Sequence, residues 1–197
     1  MVRTVSTMLD LGTPAPDFSL PEPATGEKVS LADFADAKAL LVMFICNHCP
    51  YVLRIEEGMI RVGKALVDAG VAVVAISAND ASQYPDDSPQ KIAERVKEKG
   101  YSFPYLYDAT QEVAKAFAAA CTPDFFLFDG ERKLVYRGQF DDARPRNDAP
   151  VTGKDIKEAV RRLLAGEPPL EQQTPSIGCN IKWKVGSEPD YFSGERA

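Results

Sequence analysis

Apolar positions follow two rhythms along the chain. Residues 39–46 (ALLVMFIC) and 71–77 (VAVVAIS) are almost continuously apolar. Runs this short, without polar alternation, fit strands buried on both faces of a sheet. Between them Val52, Ile55, Met59, Ile60, Val62 and Leu66 recur at helical spacing from Pro50 to Ala69, and Gly70 ends the series. Strand, helix and strand in that order predict a βαβ unit with parallel strands. A second helix is expected from about Pro89 to Lys99, with Ser88 as N-cap and Pro89 in the first position. Residues 103–108 read as a short edge strand, and residues 111–120 as helix by propensity. Residues 124–129 and 133–140 form an antiparallel hairpin around Gly130-Glu131. An amphipathic helix follows from Lys154 to Ala165. Near the start, residues 14–20 and 27–31 flank Thr25-Gly26 as a short hairpin. Ser30 there is placed to cap a brief helix over residues 31–34.

This pattern predicts one α/β domain over residues 1–166. Residues 167–197 are rich in proline and polar side chains but hold Ile177, Ile181 and Trp183. The segment is therefore expected to lie against the domain as a C-terminal extension.

Composition narrows the classes. With 197 residues, 45% of them hydrophobic, the chain can build a core without disulfide staples. Its net charge of −6 and lack of a basic stripe argue against nucleic acid and anionic membranes as partners. The longest apolar run is too short to cross a bilayer, and the first residues lack an apolar segment of signal-peptide length. The expected location is cytoplasmic. In that reducing setting, a close cysteine pair serves redox chemistry or metal binding more often than structure.

Such a pair lies in residues 44–52, FICNHCPYV. Cys46 follows the first buried strand and a helix begins just beyond it. The partial positive charge and unbonded N–H groups of a helix N-terminus favour a thiolate there, so Cys46 is expected to be the attacking sulfur. Cys49 stands three residues on, within disulfide reach, as the resolving thiol. His48, the one histidine, is placed to favour the thiolate further and make the pair more oxidising. The competing readings are half of a metal site, which offers too few ligands for closed structural zinc, and inert buried thiols. Cys121 is a candidate third thiol, with a small buried hydrophobe as the plainer reading. Cys179 reads first as a packing residue in the tail, and otherwise as an extra resolving thiol. Asp86-Asp87 and the loop 141–153 read as solvated, and neither carboxylate pair makes a case for acid–base catalysis. No phosphate-binding or dinucleotide motif is present.

Together, C-x-x-C at a strand-to-helix junction and Thr122-Pro123 leading a later strand resemble the thioredoxin-like superfamily. The stretches TPAPDFSL and EKVSLADF resemble its redoxin branch, the AhpC/TSA and TlpA-like groups. With CTPDFFLFD, LVYRGQFDD and SIGCNIKW, the likeness to bacterial thioredoxin-family proteins spans nearly the whole chain. The resemblance implies a thioredoxin-like fold, a central mixed β-sheet with helices on both faces, an N-terminal β-hairpin and a C-terminal extension. It implies a cis Pro123 that faces the dithiol, with Thr122 and Pro123 positioning an extended substrate. The function implied is thiol–disulfide oxidoreductase in redox or antioxidant homeostasis, on a protein or small-molecule disulfide or thiol. A thioredoxin or low-molecular-weight thiol would donate electrons, and neither cofactor nor metal is required. Two departures matter. The peroxiredoxin signature has Thr three residues and Pro seven residues before its cysteine. Met43 and Ala39 hold those places before Cys46, and Cys46 and Val42 before Cys49. A thiol-dependent peroxidase of the AhpC/TSA type is therefore the alternative, and a non-enzymatic copper or zinc carrier the second. The buried acid that thioredoxins carry in the strand before the dithiol is also absent from residues 39–45.

Overall fold

The computed structural model describes residues 3–192. Its strands are β1 (Arg3–Val5), β2 (Ser19–Pro21), β3 (Lys28–Ser30), β4 (Ala39–Phe44), β5 (Val71–Ser77), β6 (Tyr105–Tyr107), β7 (Cys121–Thr122), β8 (Asp124–Phe128), β9 (Leu134–Gly138) and β10 (Ile177–Asn180). The α-helices are α1 (Pro50–Asp68), α2 (Pro89–Lys99), α3 (Glu112–Ala116) and α4 (Lys154–Leu164). A central sheet runs β6-β5-β4-β8-β9. β4 pairs parallel with β5, and β5 with β6; β8 joins β4 antiparallel and β9 joins β8 antiparallel. This is the mixed sheet of a thioredoxin-like fold.

Alternation along β4 divides the core in two. Ala39, Leu41, Met43 and Ile45 face a cluster with Val52, Ile55 and Met59 of α1, Ile92 of α2 and Ile156 of α4. Leu40, Val42 and Phe44 face the other side, with Phe18, Leu20, Ala114, Phe117, Ile181 and Trp183. β4 is apolar throughout because each face meets its own layer, and every β4 residue is buried. An Arg95–Glu56 pair, at 2.7 and 2.6 Å, ties α2 to α1 through two parallel hydrogen bonds.

Local sequence explains most element ends. Ser88 accepts the Lys91 N–H at 3.4 Å, and Gly100 closes α2 in the left-handed conformation. Ser30 and Asp33 bracket a 3-10 turn over Leu31–Phe34. α3 is shorter than propensity suggests, because the chain turns at Ala118, where φ is 47°. Three short strands, β1, β7 and β10, have no counterpart in the sequence pattern. β10 pairs antiparallel with both β1 and β7, forming a second, three-stranded sheet. No helix among the described residues is long and apolar enough to cross a membrane.

Candidate active site

β4 delivers the chain to Cys46, and α1 starts at Pro50, with Cys49 as its N-cap. Pro50 costs nothing there, because first-turn N–H groups have no intrahelical partner. Cys49, rather than Cys46, therefore occupies the helix terminus, and Cys46 precedes it outside the helix. Both are buried, Cys46 at 2% and Cys49 at 0% exposure. The Thr122–Pro123 peptide is cis and closes over the pair. Cys46 Sγ lies 3.3 Å from Thr122 Oγ1, and Cys49 Sγ lies 3.1 Å from the Thr122 carbonyl oxygen. Cys46, Cys49 and Thr122 thus meet at one point, with Pro123 next in the chain. No disulfide joins the four cysteines.

The charge distribution differs from the sequence expectation. Burial, the Cys49 hydrogen bond and the nearby Asp87 charge push the Cys46 thiol well above its ordinary range. Cys49 moves far down, because the thiols of Cys179 and Cys46 both donate to its sulfur and the Val52 backbone amide favours its anion. The Thr122 carbonyl opposes this and suits Cys49 when it carries the proton. Cys179 moves up, held by its hydrogen bond to Cys49 and by burial. These shifts favour the proton on Cys46 and Cys179 over Cys49.

His48 Nδ1 sits 2.7 Å from Asp87 Oδ2, and the imidazole stacks on Tyr84 with ring centroids 5.4 Å apart. Asp87 is fully buried and accepts the Asn47 backbone N–H and the Asn79 side-chain amide, each at 2.7 Å. Its carboxylate, paired with the imidazole, raises the His48 pKa, against the opposing effect of burial. Asp87 is the residue sequence reasoning missed. A pair of adjacent acids before a helix looks solvated, and nothing local shows that the 3-10 turn folds one of them under His48. The loop after β9 carries the same lesson. Buried Asp141 accepts N–H bonds from Ala143, Thr152 and Gly153 and pins the loop, so that the segment is not simply solvated.

Cys121 is fully buried, with its sulfur 3.5 Å from the Pro123 carbonyl oxygen, and burial pushes its thiol well up. Cys179, by contrast, packs in the same buried cluster as Cys49 and interacts with it electrostatically. Beside the site lies a cleft of about 550 Å³ whose lining includes Arg3, Arg144, Arg146, Tyr51, Pro50 and Cys179. Arg144 is fixed by the carbonyls of Asp141 and Ala143 and by the Gln139 side chain. Among the described residues, no carboxylate pairs with any of these three arginines. A sulfur, an imidazole nitrogen and a carboxylate oxygen from Cys46, His48 and Asp87 lie within 4.8 Å of one another, a donor set that zinc or copper could use.

The family model for the AhpC/TSA family matches residues 11–137. The chain belongs to the AhpC/TSA family. A Mycobacterium tuberculosis relative, Rv2521, whose name assigns it to the peroxiredoxins, is 31% identical over 116 residues, 59% of this chain and 68% of its own. The thiol-disulfide oxidoreductase ResA of Geobacillus kaustophilus is 27% identical over 163 residues, 82% of this chain and 80% of its own. Among solved structures, an uncharacterized conserved protein from Geobacillus kaustophilus is 52% identical, with a TM-score of 0.91, over 93% of this chain and 97% of that one. The family thus sets the chain among redoxins, with relatives named for both disulfide exchange and peroxide chemistry.

Proposed function

We propose that this redoxin is a thiol–disulfide oxidoreductase working through Cys46 and Cys49. The observation that carries the reading is the Cys46/Cys49 pair with both sulfurs on Thr122, beside the cis Thr122–Pro123 peptide. The anion held at Cys49 takes the proton from Cys46 as the Cys46 sulfur attacks a substrate disulfide. The substrate S–S bond breaks, and one substrate thiolate leaves. Cys49 then passes its proton to that leaving thiolate and attacks the Cys46 sulfur. The second substrate thiolate departs, and a Cys46–Cys49 disulfide remains. A thioredoxin or a low-molecular-weight thiol returns the two electrons. Thr122 and Pro123 position the substrate backbone, and His48, held by Asp87, sets the local charge. The setting we assign is a reducing cytosol.

The test is reduction of insulin disulfides with dithiothreitol as donor. Cys46→Ser is expected to lose most of the insulin turnover, and Cys49→Ser to trap a mixed disulfide at Cys46. Full turnover by Cys46→Ser would remove that residue from the mechanism, and trapping at Cys49 in Cys46→Ser with no trapping in Cys49→Ser would exchange the two roles. Peroxide reduction is the second reading, favoured by the peroxiredoxin-named relative and opposed by Met43 and Ala39 at the signature positions. Stopped-flow consumption of hydrogen peroxide decides between them.

A further inference from the structure

We infer that Cys179 is a third redox thiol, and that a Cys49–Cys179 disulfide alternates with Cys46–Cys49. This rests on the dithiol reading and extends it to β10. Cys46, Cys49 and Cys179 lie in one buried cluster, and Cys49 and Cys179 shift each other's pKa in opposite directions. The backbone holds this arrangement from two directions. Cys179 stands opposite Thr122 in the β10–β7 ladder, and the carbonyl oxygen of that same Thr122 lies 3.1 Å from Cys49 Sγ. Next to Cys179, Gly178 packs so closely on the Thr122–Pro123 peptide that an added Cβ would stand 1.9 Å from the Thr122 oxygen. β10 is thereby seated against the dithiol, and Cys179 needs no long swing to reach it. Cys121 shares the ladder, opposite Asn180, but its sulfur turns to the Pro123 carbonyl.

The exchange is balanced without an outside oxidant. The Cys179 sulfur attacks Cys49 of the Cys46–Cys49 disulfide. A Cys49–Cys179 bond forms, the Cys46–Cys49 bond breaks, and the electron pair leaves on Cys46. The proton released by Cys179 moves to Cys46, so a thiol and a disulfide have changed places with no net oxidation. The consequence is position. Cys179 is buried at the wall of the arginine-lined cleft, so the exchange moves the disulfide from beneath Thr122 to the edge of that cleft.

The experiment uses the full chain carrying Cys46→Ser, treated with diamide as two-electron oxidant, alkylated and mapped by mass spectrometry without reduction. A peptide joined through Cys49 and Cys179, with Cys121 alkylated, is the expected result. In Cys46→Ser/Cys179→Ser the linked peptide is lost, and oxidised glutathione leaves a lasting adduct on Cys49, whereas Cys46→Ser resolves that adduct. A lasting adduct in both variants, or Cys49 joined to Cys121 instead, would overturn the inference. Circular dichroism of each variant identifies one that fails to fold; Cys179→Ala then replaces Cys179→Ser. Wild-type protein run in parallel separates the two claims. If it bridges Cys49 to neither Cys46 nor Cys179, the proposed function fails. If it forms a Cys46–Cys49 bridge while Cys46→Ser forms none to Cys179, only this inference fails.

Discussion

Asp124 provides a test of the packing beneath the site. It opens β8 directly after Pro123 and is fully buried. Its Oδ2 accepts the Ala120 N–H at 3.3 Å, and its Oδ1 has no hydrogen-bond partner among the described residues. Burial raises its pKa from the ordinary 3.8 to about 7, against smaller lowering effects from neighbouring hydrogen bonds. The gap of about three pH units, at about 1.4 kcal/mol each, corresponds to about 4 kcal/mol. The folded state holds the proton more tightly than the unfolded chain. Stability from this group is therefore fully present below about pH 4, falls as pH rises, and is lost above about pH 7. Asp124→Asn keeps the shape and removes the titration. Its replacement amide adds an offset that does not vary with pH. Urea unfolding of both proteins between pH 4 and pH 8.5 is expected to show the variant gaining about 2–4 kcal/mol relative to wild type across that range. A difference that stays constant with pH would refute the reasoning, because it would mean that Asp124 ionises in the folded protein as it does in the unfolded chain.

Three further outcomes follow from the site. Asp87→Asn removes the group that raises the His48 pKa and leaves burial to lower it, so the single imidazole resonance should titrate above 6.5 in wild type and below it in the variant; an unchanged midpoint by NMR would contradict the pairing. Gly178→Ala places a methyl group against the Thr122 backbone and should cost about 2 kcal/mol or more in urea unfolding, and an unaffected midpoint would show that β10 is loosely seated. Arg146→Gln should slow oxidation of the dithiol by anionic oxidised glutathione by about three- to tenfold while sparing neutral hydroxyethyl disulfide, and equal effects on both would remove the cleft from substrate recognition.

What the sequence revealed follows from how local each signal is. β4, α1 and β5 are legible because burial on two faces, or on one helical face, leaves a pattern within a single run. The dithiol at their junction is legible for the same reason, and Thr122-Pro123 through the family resemblance. β1 and β10 leave no such pattern. Their strands are three and four residues long and pair across the length of the chain, with Arg3 opposite Cys179 and Val5 opposite Ile177. The position of β10 depends on a glycine that admits the Thr122 peptide. Asp87 was hidden likewise, since its partners Asn47, His48 and Asn79 meet it only through the fold. The helix start at Pro50 was legible, and it makes Cys49 the N-cap. The expectation of a thiolate at Cys46 missed the burial of that sulfur and the third sulfur beside Cys49, both of which depend on contacts between distant parts of the chain.

The central claim is that Cys46 and Cys49 exchange two electrons as a unit. Equilibrating the protein in dithiothreitol or glutathione buffers of graded potential, then mapping the bridged peptide, measures this directly. The account predicts a single reversible two-electron transition that yields a Cys46–Cys49 bridge, at a potential above the roughly −270 mV of thioredoxin. Two thiols that stay reduced up to about −120 mV, or that bridge only between separate chains, would contradict it.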